Sequence, residues 1–234
     1  IALCLAGCAV SAVSTTAESA KMDSTKIDSG PVADAVIMAA GLPKTLSAFG
    51  FFKDDSGQWP NDRVVAYRLN SPLFSDYAEK QRFIYVPEGK TLTTAASAVP
   101  GLLQFPVGSA IIKSFGYQQA GQLRLLETRV LLHRADGWLA LPYVWNAEQS
   151  EAVLKVAGKR LPVTFVDPSG GTQSISYAVP NKNQCKECHA LGDAVMPIGP
   201  KLRNMDAASL AGLQALGLDQ AGVAYRPAAT VMPD

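Results

Sequence analysis

Cys185-Lys186-Glu187-Cys188-His189 is the feature that most narrows what this chain can be. Two cysteines three apart fall on one face of a helical turn, where their sulfurs can reach the two vinyl groups of a haem and form thioether bonds. The following histidine can then ligate the iron. The same pair can instead close a local disulfide, act as a dithiol redox centre, or contribute to a zinc site. A closed zinc site wants four ligands, yet the other cysteines and histidine are Cys4, Cys8 and the distant His133. A thioredoxin-like pair follows a strand of a βαβ unit, whereas this one follows Val179-Pro180-Asn181-Lys182-Asn183 after a segment patterned for antiparallel strands. Covalent haem c is the leading expectation, with disulfide or dithiol chemistry and zinc as alternatives.

The chain begins at Ile1 with an apolar run, Ile1-Ala2-Leu3-Cys4-Leu5-Ala6-Gly7-Cys8, and no basic region precedes it. Such a run followed by small residues reads as the end of a secretory signal whose start is missing. Leu5-Ala6-Gly7-Cys8 resembles the bacterial lipobox, which implies cleavage before Cys8 and lipidation of that cysteine. A transmembrane span or a core helix is the alternative, but the apolar stretch to Val13 is shorter than the roughly 20 residues a span requires. Residues 9–30 are rich in Ser, Thr, Ala, Asp and Lys without an aromatic, so they read as a flexible linker. As a tether they would span about 25 Å. Processing would discard Cys4 and use Cys8 for lipid, leaving two cysteines for haem and no thiol over.

From residue 31 to 180 the pattern is that of a β-rich domain. Val32 to Ala40, stopped by Gly41-Leu42-Pro43, predicts a short helix. Strands are predicted at 64–69, 82–86, 111–115 and 123–132, all rich in β-branched and aromatic residues and bounded by Gly, Pro, Asn and Asp. Asp136-Gly137 predicts a hairpin joining Val130-Leu131-Leu132 to Trp138-Leu139-Ala140-Leu141. Arg160 to Val166 and Ser174 to Val179 form another strand pair around Asp167-Pro168-Ser169-Gly170-Gly171. The fold class expected is α+β: a mostly antiparallel sandwich or barrel-like body, followed over 181–234 by a small α-helical haem-binding segment. With 48% hydrophobic and 18% charged residues the chain is not globally disordered. A formal charge of +1 offers no excess of cations for nucleic acid.

Gly199-Pro200-Lys201-Leu202 resembles the Gly-Pro-x-Leu segment that follows the haem motif in class I cytochromes c. The resemblance implies that the Pro200 carbonyl accepts a hydrogen bond from the second ring nitrogen of His189, fixing its tautomer. For the sixth iron ligand, Met232, which with Pro233 resembles the distal Met-Pro step of small cytochromes c, is the first candidate. Met205 and Met196 are alternatives and His133 comes after them.

Ser71-Pro72-Leu73-Phe74-Ser75-Asp76-Tyr77-Ala78, Glu127-Thr128-Arg129, Trp138 through Asn146, and Pro180-Asn181 with the cysteine motif resemble a family of exported bacterial proteins in which a β-rich segment precedes a cytochrome-like one, often with two haem motifs. The resemblance covers residues 40 to 205 and implies a lipid-anchored electron carrier on the periplasmic face of a bacterial membrane, with a redox partner protein. One motif is present here, and the expectation is that a second half lies beyond residue 234. A haem enzyme, or the cytochrome subunit of a periplasmic dehydrogenase complex, is the alternative. Asp76, Tyr77, Glu127 and Arg129 tempt a catalytic reading, but Glu and Arg two apart on a strand are expected to pair with cross-strand neighbours. Trp138, Tyr143 and Trp145 are expected to pack in the core or against haem. No phosphate loop, nucleophile elbow or His-Glu-x-x-His motif is present, and no catalytic residue is assigned.

Overall fold

A computed structural model describes residues 31–94, 101–191 and 194–218. Cys8, the linker at 9–30 and Met232 lie outside the described residues. The chain is mostly β, and every strand pair is antiparallel. Six strands form the main sheet: β1 (Val64–Ala66), β2 (Glu79–Tyr85), β5 (Ala110–Gln119), β6 (Gln122–Arg134), β7 (Gly137–Trp145) and β8 (Ala152–Leu154), in the spatial order β1-β2-β5-β6-β7-β8. Between β2 and β5 a minor pair, β3 (Thr93–Thr94) and β4 (Leu103–Gln104), decorates the connection. The main sheet is open, and the mostly antiparallel, β-rich body expected from the sequence is formed.

The turns explain the register. Ala120 and Gly121 both have positive φ (50° and 77°) between the paired Gln119 and Gln122, the geometry of a two-residue turn whose twist matches that of the strands. The β6–β7 turn differs from the sequence expectation by one residue. Arg134 pairs with Gly137, the loop is Ala135-Asp136, and Gly137 carries the positive φ of 112° as the first residue of β7. Strand β7 also runs through Pro142. The Pro142 carbonyl accepts the Lys155 N–H at 2.9 Å, so the proline nitrogen points the same way, past the start of the β8 ladder at Tyr143, and no hydrogen bond to β6 is lost.

One face of the sheet, with Phe83, Ile112, Val130, Leu141 and Tyr143, is covered by the N-terminal segment through Ile37, Leu46, Phe49, Phe51 and Phe52. Burying an aliphatic or aromatic side chain of this kind contributes about 1.5–3 kcal/mol. The expected first helix is α1 (Asp34–Met38), one turn long. Buried Arg134 donates to the Ile37 and Gly41 carbonyls at 2.7 and 3.0 Å, satisfying oxygens that the short helix leaves over. Residues 44–46 lie along the outer side of β8, with Thr45 bridged to Val153.

The opposite face divides into two apolar clusters. The hairpin of β9 (Lys159–Val166) and β10 (Thr172–Val179), where the sequence placed it, packs Val163, Phe165, Tyr177 and Val179 against Phe115, Tyr117 and Val144. Helix α3 (Ala207–Ala215) packs Leu210 and Leu213, with Leu216 and Leu218 beyond its end, against Tyr67, Ile84, Ile111 and Leu131. Asp206 caps α3 by accepting the Ser209 N–H at 2.8 Å. Residues 181–218 therefore share a core with the sheet. Their described part holds α2 (Gln184–Cys188), the ribbon β11 (Ala190–Leu191) with β12 (Ala194–Val195), a 3-10 turn at Leu202–Asn204 and α3. That is less helix than a cytochrome-like segment implies. Among the described residues no helix is long and apolar enough to cross a membrane.

Candidate functional site

Helix α2 starts where it does because Asn181 and Gln184 cap it reciprocally. Asn181 Oδ1 accepts the Gln184 N–H and Gln184 Oε1 accepts the Asn181 N–H, both at 2.9 Å. The single turn buries Cys185 in the cluster that holds Met205 and Leu210 and leaves Cys188, three residues on, exposed. Both thiols are free. His189 closes the turn with φ −120°, and its carbonyl accepts the Met196 N–H at 2.8 Å, so the β11–β12 ribbon grows directly from the motif. Among the described residues no three Cys, His, Asp or Glu side chains converge as a metal cage would require.

His189 is half-buried, and its Nδ1 is shielded from solvent without a hydrogen-bond partner. The bond expected from Nδ1 to the Pro200 carbonyl is therefore not made. Pro200 is buried, but its segment is tied elsewhere: Lys201 is bridged to Leu102, and the Leu202 N–H donates to the Gly101 carbonyl at 2.9 Å.

The motif lies over a row of cations. Arg82 on β2 is opposite Lys113 on β5, which is opposite Arg129 on β6, so all three side chains leave the same face of the sheet. Arg82 is 8% exposed. In the next row along, Glu127 is fully buried and accepts from Arg129 Nε at 2.9 Å and Nη2 at 2.5 Å, and from the Tyr177 hydroxyl at 2.6 Å. The expected cross-strand pairing of Glu127 and Arg129 is replaced by a direct pair along the strand, because the residues opposite Arg129 are Lys113 and Pro142 and neither is acidic. Lys113 Nζ and Arg129 Cζ stand 4.7 and 4.3 Å from the centre of the Phe115 ring.

This crowding moves protons. Burial, then the charges of Arg82, Arg129 and Lys80, push the Lys113 ammonium down to about 7, only partly opposed by Glu127. Burial, then Lys113 and Arg129, holds the His189 imidazole below its usual value. Burial pushes the Cys185 thiol up, with Arg129 pulling the other way.

For the chain without haem a pH dependence follows. Lys113 releases its proton near pH 7 when folded and near 10.5 when unfolded. Between these values the unfolded chain binds more protons, so stability rises with pH. The raised Cys185 thiol works against this above pH 9, the ordinary value for that group, so pH 7 to 8.5 is the clean window. Denaturant unfolding is expected to show a gain of about 2 kcal/mol across it. Lys113→Met should flatten that slope; an equal slope in the variant refutes the assignment.

The other candidates separate. Pairing of Ala190 with Val195 and Leu191 with Ala194 puts Met196 opposite His189, where α carbons are about 4.5–5.5 Å apart. Two axial ligands on opposite faces of a porphyrin cannot come from neighbours so close, and Met196 does not suit the sixth position. Met205 is fully buried in the same cluster as Cys185, its backbone bridged to Leu69. His133 lies on the motif's face of the sheet, four residues along β6 from Arg129. Its Nδ1 donates to the Phe105 carbonyl at 2.9 Å, which leaves Nε2 with the lone pair, and its ring stacks on Trp138 at 4.5 Å. Tyr143 and Trp145 are core residues of the opposite face. Asp76 and Tyr77 belong to a loop with positive φ beside a cavity of about 290 Å³ that Phe74, Tyr117 and Phe165 also line.

Arg82, Lys113 and Tyr177 were not singled out from the sequence. Comparison with protein-family models, with curated proteins and with solved structures finds no match to this chain.

Proposed function

We propose that the chain is a c-type cytochrome that exchanges electrons with a redox partner protein outside the cytoplasm, hung from the membrane through Cys8. One observation carries the reading: a single capped helical turn holds two free thiols three residues apart, directly before a half-buried imidazole whose shielded Nδ1 has no hydrogen-bond partner. The donor set fits a haem. Each thiol adds across a vinyl double bond, sulfur to one carbon and hydrogen to the other, without an oxidant. His189 would offer Nε2 to the iron; Met205, in the apolar cluster of Cys185, and His133, on the same face of the sheet, are the candidates kept for the sixth position. When bound, the haem supplies one-electron exchange between ferric and ferrous iron. The apolar residues packed around Cys185, Met205 and Leu210 among them, would keep water from the sheet side of the group.

The test is expression of the whole chain in a host that matures c-type cytochromes. The expected result is a coloured protein whose mass rises by one haem, which keeps the haem after denaturation and resists thiol alkylation. A low-spin spectrum indifferent to peroxide supports the carrier over an enzyme. A colourless protein with both thiols open to alkylation refutes the reading.

A further inference from the structure

Where residues 74–80 meet the end of β5 and the turn of the β9–β10 hairpin, a cavity of about 290 Å³ is lined by four aromatic rings, those of Phe74, Tyr77, Tyr117 and Phe165. Its size is close to the lower bound, about 300 Å³, of small-molecule sites. Tyr117 and Phe165 are its buried part, with ring centres 4.5 Å apart and planes inclined by 31°. Phe74 and Tyr77 meet edge to face at 4.9 Å and stay 58% and 48% exposed. Tyr77 stands 6.1 Å from Phe165 at 45°, so these two rings do not cover each other's faces. The exposed rings are held in place from behind. The Tyr117 hydroxyl donates to the Asp76 carbonyl at 2.6 Å, and the Ala78 N–H donates to the Ser75 carbonyl at 2.8 Å. Asp76 and Tyr77 keep φ of 49° and 61°, a left-handed backbone that side chains other than glycine adopt where their surroundings impose it.

We propose that this cavity binds a small organic cation of the quaternary ammonium class, free in solution or as a phospholipid headgroup, independently of any haem. Charge selects the class. The charged residues lining the cavity are Glu79, Asp167 and Lys80. Lys80 donates its ammonium to the Leu73 carbonyl, and the Gln118 amide donates to Glu79 Oε1 at 2.9 Å, which fixes that carboxylate beside the rings. Hydrogen bonds from Ser169, Gln173 and Gly171 hold the Asp167 carboxyl down to about 2, so it stays ionised at physiological pH. Two carboxylates against one ammonium leave one negative charge, the complement of a monocation and a barrier to an anion. A metal ion is not matched, because among the described residues no three Cys, His, Asp or Glu side chains converge. A quaternary ammonium spreads its charge over methyl groups that pack on aromatic faces, and the ring quadrupole attracts it there. A neutral apolar ligand would use the rings and leave the carboxylates without a counter-charge.

The test is calorimetric titration of the full chain with choline and with dimethylbutanol, its neutral isostere, in which carbon replaces the charged nitrogen. Choline is expected to bind about tenfold more tightly than the isostere, and to weaken as salt rises. Phe74→Ala, at a ring already 58% exposed, should keep the circular dichroism of the parent and weaken choline about fivefold. Glu79→Gln should weaken choline and leave the isostere unchanged. Because the two ligands are compared on the unsubstituted chain, the result stands even where a variant folds poorly. Glycerophosphocholine separates the sources: tighter binding than choline assigns a phospholipid headgroup, equal or weaker binding a free ammonium ion. Equal affinity for choline and its isostere, or no binding heat with choline up to about 20 mM, overturns the proposal. Neither of those results touches the haem reading, which rests on other residues.

Discussion

A chain carrying Cys185→Ala and Cys188→Ala is expected to leave a maturing host with its sheet intact and no covalent haem at all. Loss is total because thioether attachment has no other thiol to use anywhere in residues 9–234. The fold survives because Cys188 is exposed, and Cys185, although buried against Met205 and Leu210, surrenders only one sulfur's worth of packing. A cost of about 1 kcal/mol is in proportion to so small a deletion. Haem staining after denaturing electrophoresis and far-ultraviolet circular dichroism read the two halves separately. Single substitutions should each leave one thioether and a chain that still stains. Staining of the double variant would mean that the haem, if present, is attached elsewhere.

Glu127→Ala is expected to be the most damaging single change to the sheet, costing about 3–5 kcal/mol in denaturant unfolding. Glu127 is fully buried, and its two oxygens hold Arg129 and the Tyr177 hydroxyl. Removing the carboxylate strands a guanidinium beside Lys113 and leaves a phenol without its acceptor. Burial and the Glu127 charge already push the Tyr177 hydroxyl far above its usual value, so it stays a donor at any physiological pH. Tyr177→Phe should therefore cost only about 1–2 kcal/mol, since the ion pair remains. An alanine variant as stable as the parent would show that this carboxylate does not hold the cation row in place.

The strand pattern was legible where one side chain in two is apolar and a strong turn follows. The hairpin of β9 and β10 is the clearest case, with Val163, Phe165, Tyr177 and Val179 inward and Asp167-Pro168-Ser169-Gly170-Gly171 between. Boundaries were less legible. β7 crosses Pro142 because that nitrogen faces a stretch the neighbouring strand does not reach, which no local rule reveals. The Cys185-x-x-Cys188-His189 run, with its haem, dithiol and zinc readings, could be picked out as soon as the five residues were seen. The cations beneath it could not. Arg82, Lys113 and Arg129 each look like an ordinary strand charge; a two-residue turn sets Lys113 opposite Arg129, but only the long-range pairing of β2 with β5 brings Arg82 into the same line. The Pro200 expectation stumbled on the same kind of fact, since long-range ties of Lys201 and Leu202 to Leu102 and Gly101 decide where that proline lies.

The two rims of the sheet bear on how the folded chain behaves in a crowd of its own copies. β1 and β8 are three residues each, and the segment at 44–46 already occupies hydrogen-bonding positions along β8. These two rim strands are too short to template a long further strand, but β7 runs from Gly137 to Pro142 beyond the reach of β8, and each strand of the β9–β10 hairpin has an outer edge. Growth of this fold by strand addition would therefore start at those longer edges and not at β1 or β8.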